Sequence, residues 1–168
     1  MAKVCKSLKE LEKALQEKVD IALLTDVAQT VTEVMQNHIA QDVYDVYNPS
    51  RYARRMNENG LLDNRNINSS IDGNTLIVEN NTLGSPYYYD PSDKKTKKSA
   101  NAGEEIVGVI ESGRGYDISN WEYDGVPRPF IENTRDELKD YEWHKKALKQ
   151  GLQKQGLEVK WNGRRFTN

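Results

Sequence analysis

The sequence predicts an α+β domain: a long N-terminal helix and a C-terminal helix packed on a small antiparallel β-sheet. Three observations predict it. From Leu8 to Ile39 apolar residues recur at helical spacing with no proline, as in the buried stripe of an amphipathic helix. A second stripe of the same period follows Pro129 and reaches Leu152. Between the two, short runs rich in Ile, Val and Thr flank Asp72-Gly73, a hairpin signature.

The first helix opens on Ser7-Leu8-Lys9-Glu10, which has the form of a capping box. Its stripe is Leu8, Leu11, Leu15, Val19, Ala22 or Leu23, Val27, Val31, Val34 or Met35, and Ile39, and Asn48-Pro49 closes it. A continuous helix from Ser7 to Tyr47 would be about 60 Å long at about 1.5 Å per residue. A compact chain of this size has a radius of gyration of about 15 Å. The helix must therefore bend, break or project onto something else. Thr25-Asp26 is the expected break, because both side chains compete for local backbone bonds and can re-cap a second helix. Simple core packing and an interface role for the outer half both fit the pattern.

Glu58 to Gly60 mark a turn and Leu61-Leu62 an apolar anchor. In the hairpin, Ile67, Ser69 and Ile71 share one face, and Leu76-Ile77-Val78 predicts a second strand buried on both sides. From Asn80 to Ala102 the composition shifts to Asn, Ser, Pro, Tyr and Lys. This predicts a long loop over residues 84–103, and loops of that length are functional or disordered. Lys94, Lys95, Lys97 and Lys98 place four positive charges in five residues. The usual meaning of such a run is a solvated loop tip. Glu104 to Glu111 carries β-branched residues that favour a strand on propensity.

The last helix is approached through Asp124-Gly125-Val126-Pro127-Arg128-Pro129-Phe130-Ile131-Glu132. Pro127 and Pro129 fix two φ angles and bias Val126 and Arg128 toward extended geometry. Pro129 suits a first helical position, while Thr134-Arg135-Asp136-Glu137 offers a capping box one turn later. The stripe then takes Phe130 or Ile131, Thr134, Leu138, Tyr141, Leu148 and Leu152, with Lys145 interrupting it. Phe130 is expected in the core between the long helices, and Arg128 against a carboxylate or backbone carbonyls. After Gly156, Leu157, Val159 and Trp161 alternate ahead of Asn162-Gly163 and Phe166, which reads as a small hairpin. The expected organisation is one domain over residues 1–156 and a hairpin or interface tail over residues 157–168.

Composition bounds the function. The formal net charge is −2, which argues against a general nucleic-acid binder, since neutralising several phosphates needs a cationic surplus. Local patches remain: Arg51, Arg54 and Arg55 lie among Tyr44, Tyr47 and Tyr52. That cluster is either an aromatic-basic surface or a helix end sealed by tyrosines with its arginines paired to acids. Mean hydropathy is −0.85, so the core is thin or neighbouring subunits complete the burial. Cys5 is the one cysteine and excludes an intramolecular disulfide. His38 and His144 lack zinc-ligand spacing, and His144, beside Trp143, reads as solvated. There is no phosphate-binding loop and no nucleophile elbow. Glu104, Glu105 and Glu111 are the nearest approach to a nuclease cluster, without a paired lysine. No catalytic residue, cofactor or metal is expected. With no membrane-length apolar run or signal-peptide core, the product is expected to be soluble and made in the cytoplasm.

Ile106-Val107-Gly108-Val109-Ile110-Glu111-Ser112-Gly113, then Arg128-Pro129-Phe130, with Gly60-Leu61-Leu62-Asp63 ahead of the hairpin, resembles the small tail-completion or head-to-tail connector (neck) proteins of tailed bacteriophages. In that family an apolar segment ending in a glycine turn precedes an Arg-Pro-Phe lead into the last helix. The matching apolar segment is often a short helix, so the type of Glu104 to Glu111 stays open. The lysine-rich stretch Asp93 to Lys98 and the tail after Gly156 depart from the family. The resemblance implies a structural virion protein, not an enzyme, that assembles in the host cytoplasm as a hexameric ring in the neck or tail. Its implied partners are copies of itself, connector, tail-terminator or tail-tube proteins, and DNA passing through the lumen, with no membrane. Pro127, Arg128, Pro129 and Phe130 become candidate structural anchors. Arg51, Arg54, Arg55, Lys94, Lys95, Lys97, Lys98 and Trp161 become candidate interface or DNA-facing residues. The alternative of another class is a DNA-binding accessory protein using the Arg51–Arg55 and Lys94–Lys98 clusters.

Overall fold

The structure is a computed structural model and describes residues 5–46, 55–90, 94–98, 102–114 and 125–160. Helix runs unbroken from Leu8 to Tyr44: α1 (Leu8–Ala22), a π-helical stretch (Leu23–Val27), α2 (Ala28–His38) and a second π-helical stretch (Ile39–Tyr44). The Ser7 hydroxyl accepts from the Glu10 amide at 3.2 Å, while the Glu10 carboxylate takes the Lys6 amide at 2.7 Å. One orphan donor at the helix start is thus satisfied, and the residue before the cap is tied to the first turn.

The predicted break at Thr25-Asp26 does not occur, and the helix widens there instead. The Thr25 hydroxyl donates to the Ile21 carbonyl at 2.7 Å and the Thr30 hydroxyl to the Asp26 carbonyl at 2.9 Å. A π turn shifts the regular N–H partners by one residue, and these hydroxyls bond carbonyls of the same helix. The polar side chains expected to re-cap a new helix thereby hold the old one together. At about 1.5 Å per residue the run spans roughly 55 Å.

The C-terminal stripe is split in two: α4 (Phe130–Tyr141) and α5 (Trp143–Lys154) meet at Glu142, whose φ is 55°. A left-handed non-glycine residue costs about 1 kcal/mol. The corner lets α4 lie on α2 while α5 lies on α1 and the first π stretch, so one C-terminal stripe follows two segments of the long helix. Helix α4 starts at Phe130, not at the second capping box. Thr134 is buried inside it, donating its hydroxyl to the Phe130 carbonyl at 2.6 Å. Helix α5 ends in a Schellman turn: Leu157 N–H donates to Leu152 at 3.1 Å and Gly156 N–H to Gln153 at 2.9 Å, with Gly156 at φ 79°. Residues 157–160 take no regular structure, and the rest of the predicted tail hairpin, Trp161 included, lies outside the described residues.

Glu104 to Glu111, open between strand and helix, leads into helix α3 (Val107–Ser112). Val107 and Ile110 are three apart, so a helix turns both into the core, and packing overrides β propensity.

Strands β1 (Ile67–Asp72) and β2 (Thr75–Asn80) pair antiparallel around Gly73-Asn74, one residue later than the predicted turn. Gly73 takes φ 58°. The register sets Ile67 opposite Asn80, Ser69 opposite Val78 and Ile71 opposite Leu76, giving one core-facing side. Leu76, Ile77 and Val78 are half-buried, short of the full burial predicted. The hairpin joins two apolar clusters. Ile67 and Val78 pack on Met35, Ile39, Val43, Leu61, Val107, Ile110 and Phe130; Ile71 and Leu76 pack on Leu23, Val27 and Ala147.

The predicted loop over residues 84–103 is largely a second hairpin. Strands β3 (Tyr87–Asp90) and β4 (Lys95–Lys98) pair antiparallel, Tyr87 opposite Lys98 and Asp90 opposite Lys95. Its base is closed: Leu83 bridges Glu105, Gly84 N–H donates to Glu104 at 2.7 Å, and Ile106 N–H to Thr82 at 3.1 Å. The segment is an arm that leaves and returns at one point. The tyrosines have strong β propensity, but a strand of Lys-Thr-Lys-Lys shows no apolar alternation that would reveal it.

Candidate functional site

Around the lead into α4, the chain's elements converge. Helix α3 ends at Gly113 in the left-handed region, φ 66°. Its last carbonyls would be orphaned, but Gly125 N–H donates to Gly113 at 2.7 Å and Arg128 N–H to Ile110 at 3.1 Å. A Cβ on Gly113 would stand 2.4 Å from the Val126 carbonyl carbon, so the loop rests on the bare glycine. Pro129 offers α4 no side-chain cap. Glu111 of α3 supplies one, its carboxylate accepting from the Ile131 amide. Burial pushes the Glu111 carboxyl above the usual glutamate range, opposed by that amide and reinforced by nearby Glu132.

Phe130 has no exposed surface and sits in the larger apolar cluster. Arg128 is buried and Pro127 exposed. Together with Asp42, Val46, Val126, Pro129 and Asn133 they line an open cleft of about 420 Å³. Beside it, His38 links two carboxylates: Nδ1 lies 3.2 Å from Asp42 Oδ2 and Nε2 lies 3.0 Å from Glu137 Oε2. Asn133 Nδ2 donates to the same Asp42 oxygen at 2.9 Å. This chain of polar contacts ties α2 to α4. Among the described residues no group of three or more His, Cys, Asp or Glu is arranged to hold a metal ion, and no helix is long and apolar enough to cross a membrane.

Gly60-Leu61-Leu62-Asp63 forms a second knot, whose polar half the sequence reading missed. Buried Asp63 accepts from the Asn59 amide at 2.7 Å and from the Arg65 amide at 2.9 Å. The Arg65 guanidinium holds the Asp63 carboxyl well below the usual carboxylate range. Asn80 Nδ2 donates to Leu61 at 2.8 Å, and Thr82, fully buried, donates its hydroxyl to Asn80. A Cβ on Gly60 would overlap the Arg55 carbonyl oxygen at 1.1 Å. The only sequence signal for this network was the density of Asn and Asp after Gly60.

Arg55 donates to the Leu83 carbonyl at 2.8 Å, at the base of the arm; Arg51, Arg54, Tyr47 and Tyr52 lie outside the described residues. The arm carries Lys94, Lys95 and Lys98 exposed and Lys97 half-buried. His144, expected to be solvated, is half-buried, and burial lowers its pKa. At the start of α1, in the outer half of the helix for which core packing and an interface role both fit the sequence, Leu8, Leu11 and Leu15 are 79%, 44% and 40% exposed on one stripe.

The YomN family model matches residues 7–154, from the Ser7 cap to the last residue of α5. The chain belongs to the YomN family. It is 29% identical over 165 residues to the SPbeta prophage-derived protein YomN of Bacillus subtilis (strain 168), across 93% of this chain and 99% of that relative. No solved structure matches. The family and its prophage-borne relative support a phage origin for the chain.

Proposed function

We propose that this YomN-family chain is a structural subunit of a tailed-phage particle, forming a ring at the neck that joins the head connector to the tail or completes the tail end. One observation carries the reading: the exposed leucines of α1 lie on the same stripe that is buried farther along the helix. A stripe of that kind is finished by a partner. Head-to-tail contact between identical subunits leaves no surface over only when the ring closes, and sixfold closure is the arrangement we propose. The prophage origin of the relative and the resemblance of the glycine turn and Arg128-Pro129-Phe130 to neck proteins point the same way. The role is structural, without a catalytic residue. Particles purified from a producing host and imaged by electron cryomicroscopy test it. A symmetric ring of this chain at the head–tail joint is expected; its absence from purified particles overturns the reading.

A further inference from the structure

The β3–β4 arm stands apart from the packing that explains the rest of the molecule. Its strands pair with each other, and the chain enters and leaves through the closed base at Leu83, Gly84 and Glu105. Strand β4 and the residue before it read Lys94-Lys95-Thr96-Lys97-Lys98, with no apolar side chain, and Tyr87, opposite Lys98, is 60% exposed. The fold therefore presents a cationic two-stranded ribbon on a chain whose net charge is negative.

We propose that this arm contacts the phosphate backbone of duplex DNA. Three arguments favour DNA over an acidic protein surface. Lysine is depleted from the cores of protein–protein interfaces, and β4 offers no apolar anchor of the kind that dominates such contacts. A two-stranded ribbon fits a major groove about 12 Å wide. Lysine and tyrosine side chains both bond phosphate oxygens, which fixes position without reading sequence. Such binding is sequence-independent. It goes beyond the ring, because a single copy in solution would show it, so the two readings fail separately.

The test is fluorescence anisotropy of a short duplex of arbitrary sequence with the full chain over a salt series. Four lysine contacts predict a slope of log affinity against log salt of about −3.6. Replacing Lys94, Lys95, Lys97 and Lys98 together with Gln should flatten that slope by about three to four, with helical circular dichroism unchanged. Lys9→Gln with Lys13→Gln, exposed on α1, should leave it as it was. The proposal is overturned if the wild type does not bind at low salt, or if the arm variant keeps the wild-type slope. It is also overturned if the α1 variant loses as much, or if polyglutamate competes as well as duplex at equal charge, which would make the partner an acidic protein.

Discussion

The two halves of the N-terminal helical run carry the same apolar period and end differently. In the inner half Met35, Ile39 and Val43 are buried, closed over by α3, α4 and the first hairpin. In the outer half Leu8, Leu11 and Leu15 face solvent. Periodicity fixes which side of a helix is apolar; it does not say what covers it. Cover comes from topology. The corner at Glu142 sends α5 back along α1 only as far as Lys18, where the Gln155 amide donates to the Lys18 carbonyl at 2.7 Å. Beyond that point the described chain lays no helix on the stripe.

The inner half should respond most strongly to truncation. Among the described residues Phe130 is the largest fully buried side chain, and it sits where α4 meets α2 and α3. Phe130→Ala should lose about 3 to 5 kcal/mol, read by denaturant unfolding. An unchanged melting temperature would remove Phe130 from the core and weaken the contrast between the halves.

The middle of the helix, where α5 supplies the cover, is sharpened by two glycines. Gly151 of α5 passes the first π stretch so closely that a Cβ would stand 2.7 Å from Asp26 Oδ2 and 2.9 Å from the Ala22 Cβ. Lys154 pairs with Asp26 beside it and holds that carboxyl below its usual range. Gly151→Ala gains about 1 kcal/mol of helix propensity against an overpacking cost of about 1 to 3 kcal/mol, a net loss of about 1 kcal/mol. Gly108 in α3 has nothing within 4 Å of its Cβ position, so Gly108→Ala should gain about 0.5 to 1 kcal/mol. Equal shifts in the two melting curves would mean that α5 does not press on the π stretch.

What could be read beforehand follows the same division between pattern and cover. The helical stripes and the first hairpin were legible because side-chain period reports local geometry directly. Thr25-Asp26 misled because one residue chemistry serves two ends: hydroxyls that can cap a new helix also bond carbonyls of the existing one. The corner at Glu142 gave no signal, since glycine is the residue expected in a left-handed position. The arm was hidden because its strands satisfy each other through the backbone while β4 has no apolar alternation. In the candidate site, the Gly113 turn and the Pro127–Phe130 lead were visible as segments. Glu111 capping α4 from another helix was not, because tertiary caps leave no local spacing.

The smallest stability effect belongs to the outer half, and it carries the most information about assembly. Leu8, Leu11 and Leu15 expose enough surface that covering all three would contribute about 3 kcal/mol in total. Association costs at least about 4 kcal/mol before any contact is made. Three leucines therefore cannot hold free subunits together, and the chain should remain a monomer in dilute solution. On the proposed neck role, a preformed connector or tail would reverse the balance by orienting neighbouring copies, so that the same leucines would then close each junction. Replacing all three with Ala should accordingly shift dilute-solution stability by less than about 0.5 kcal/mol per site, while incorporation into particles falls sharply. A loss of several kcal/mol in the isolated chain would show that the stripe is covered within one copy. Normal incorporation of the triple variant would show that the ring closes through another surface.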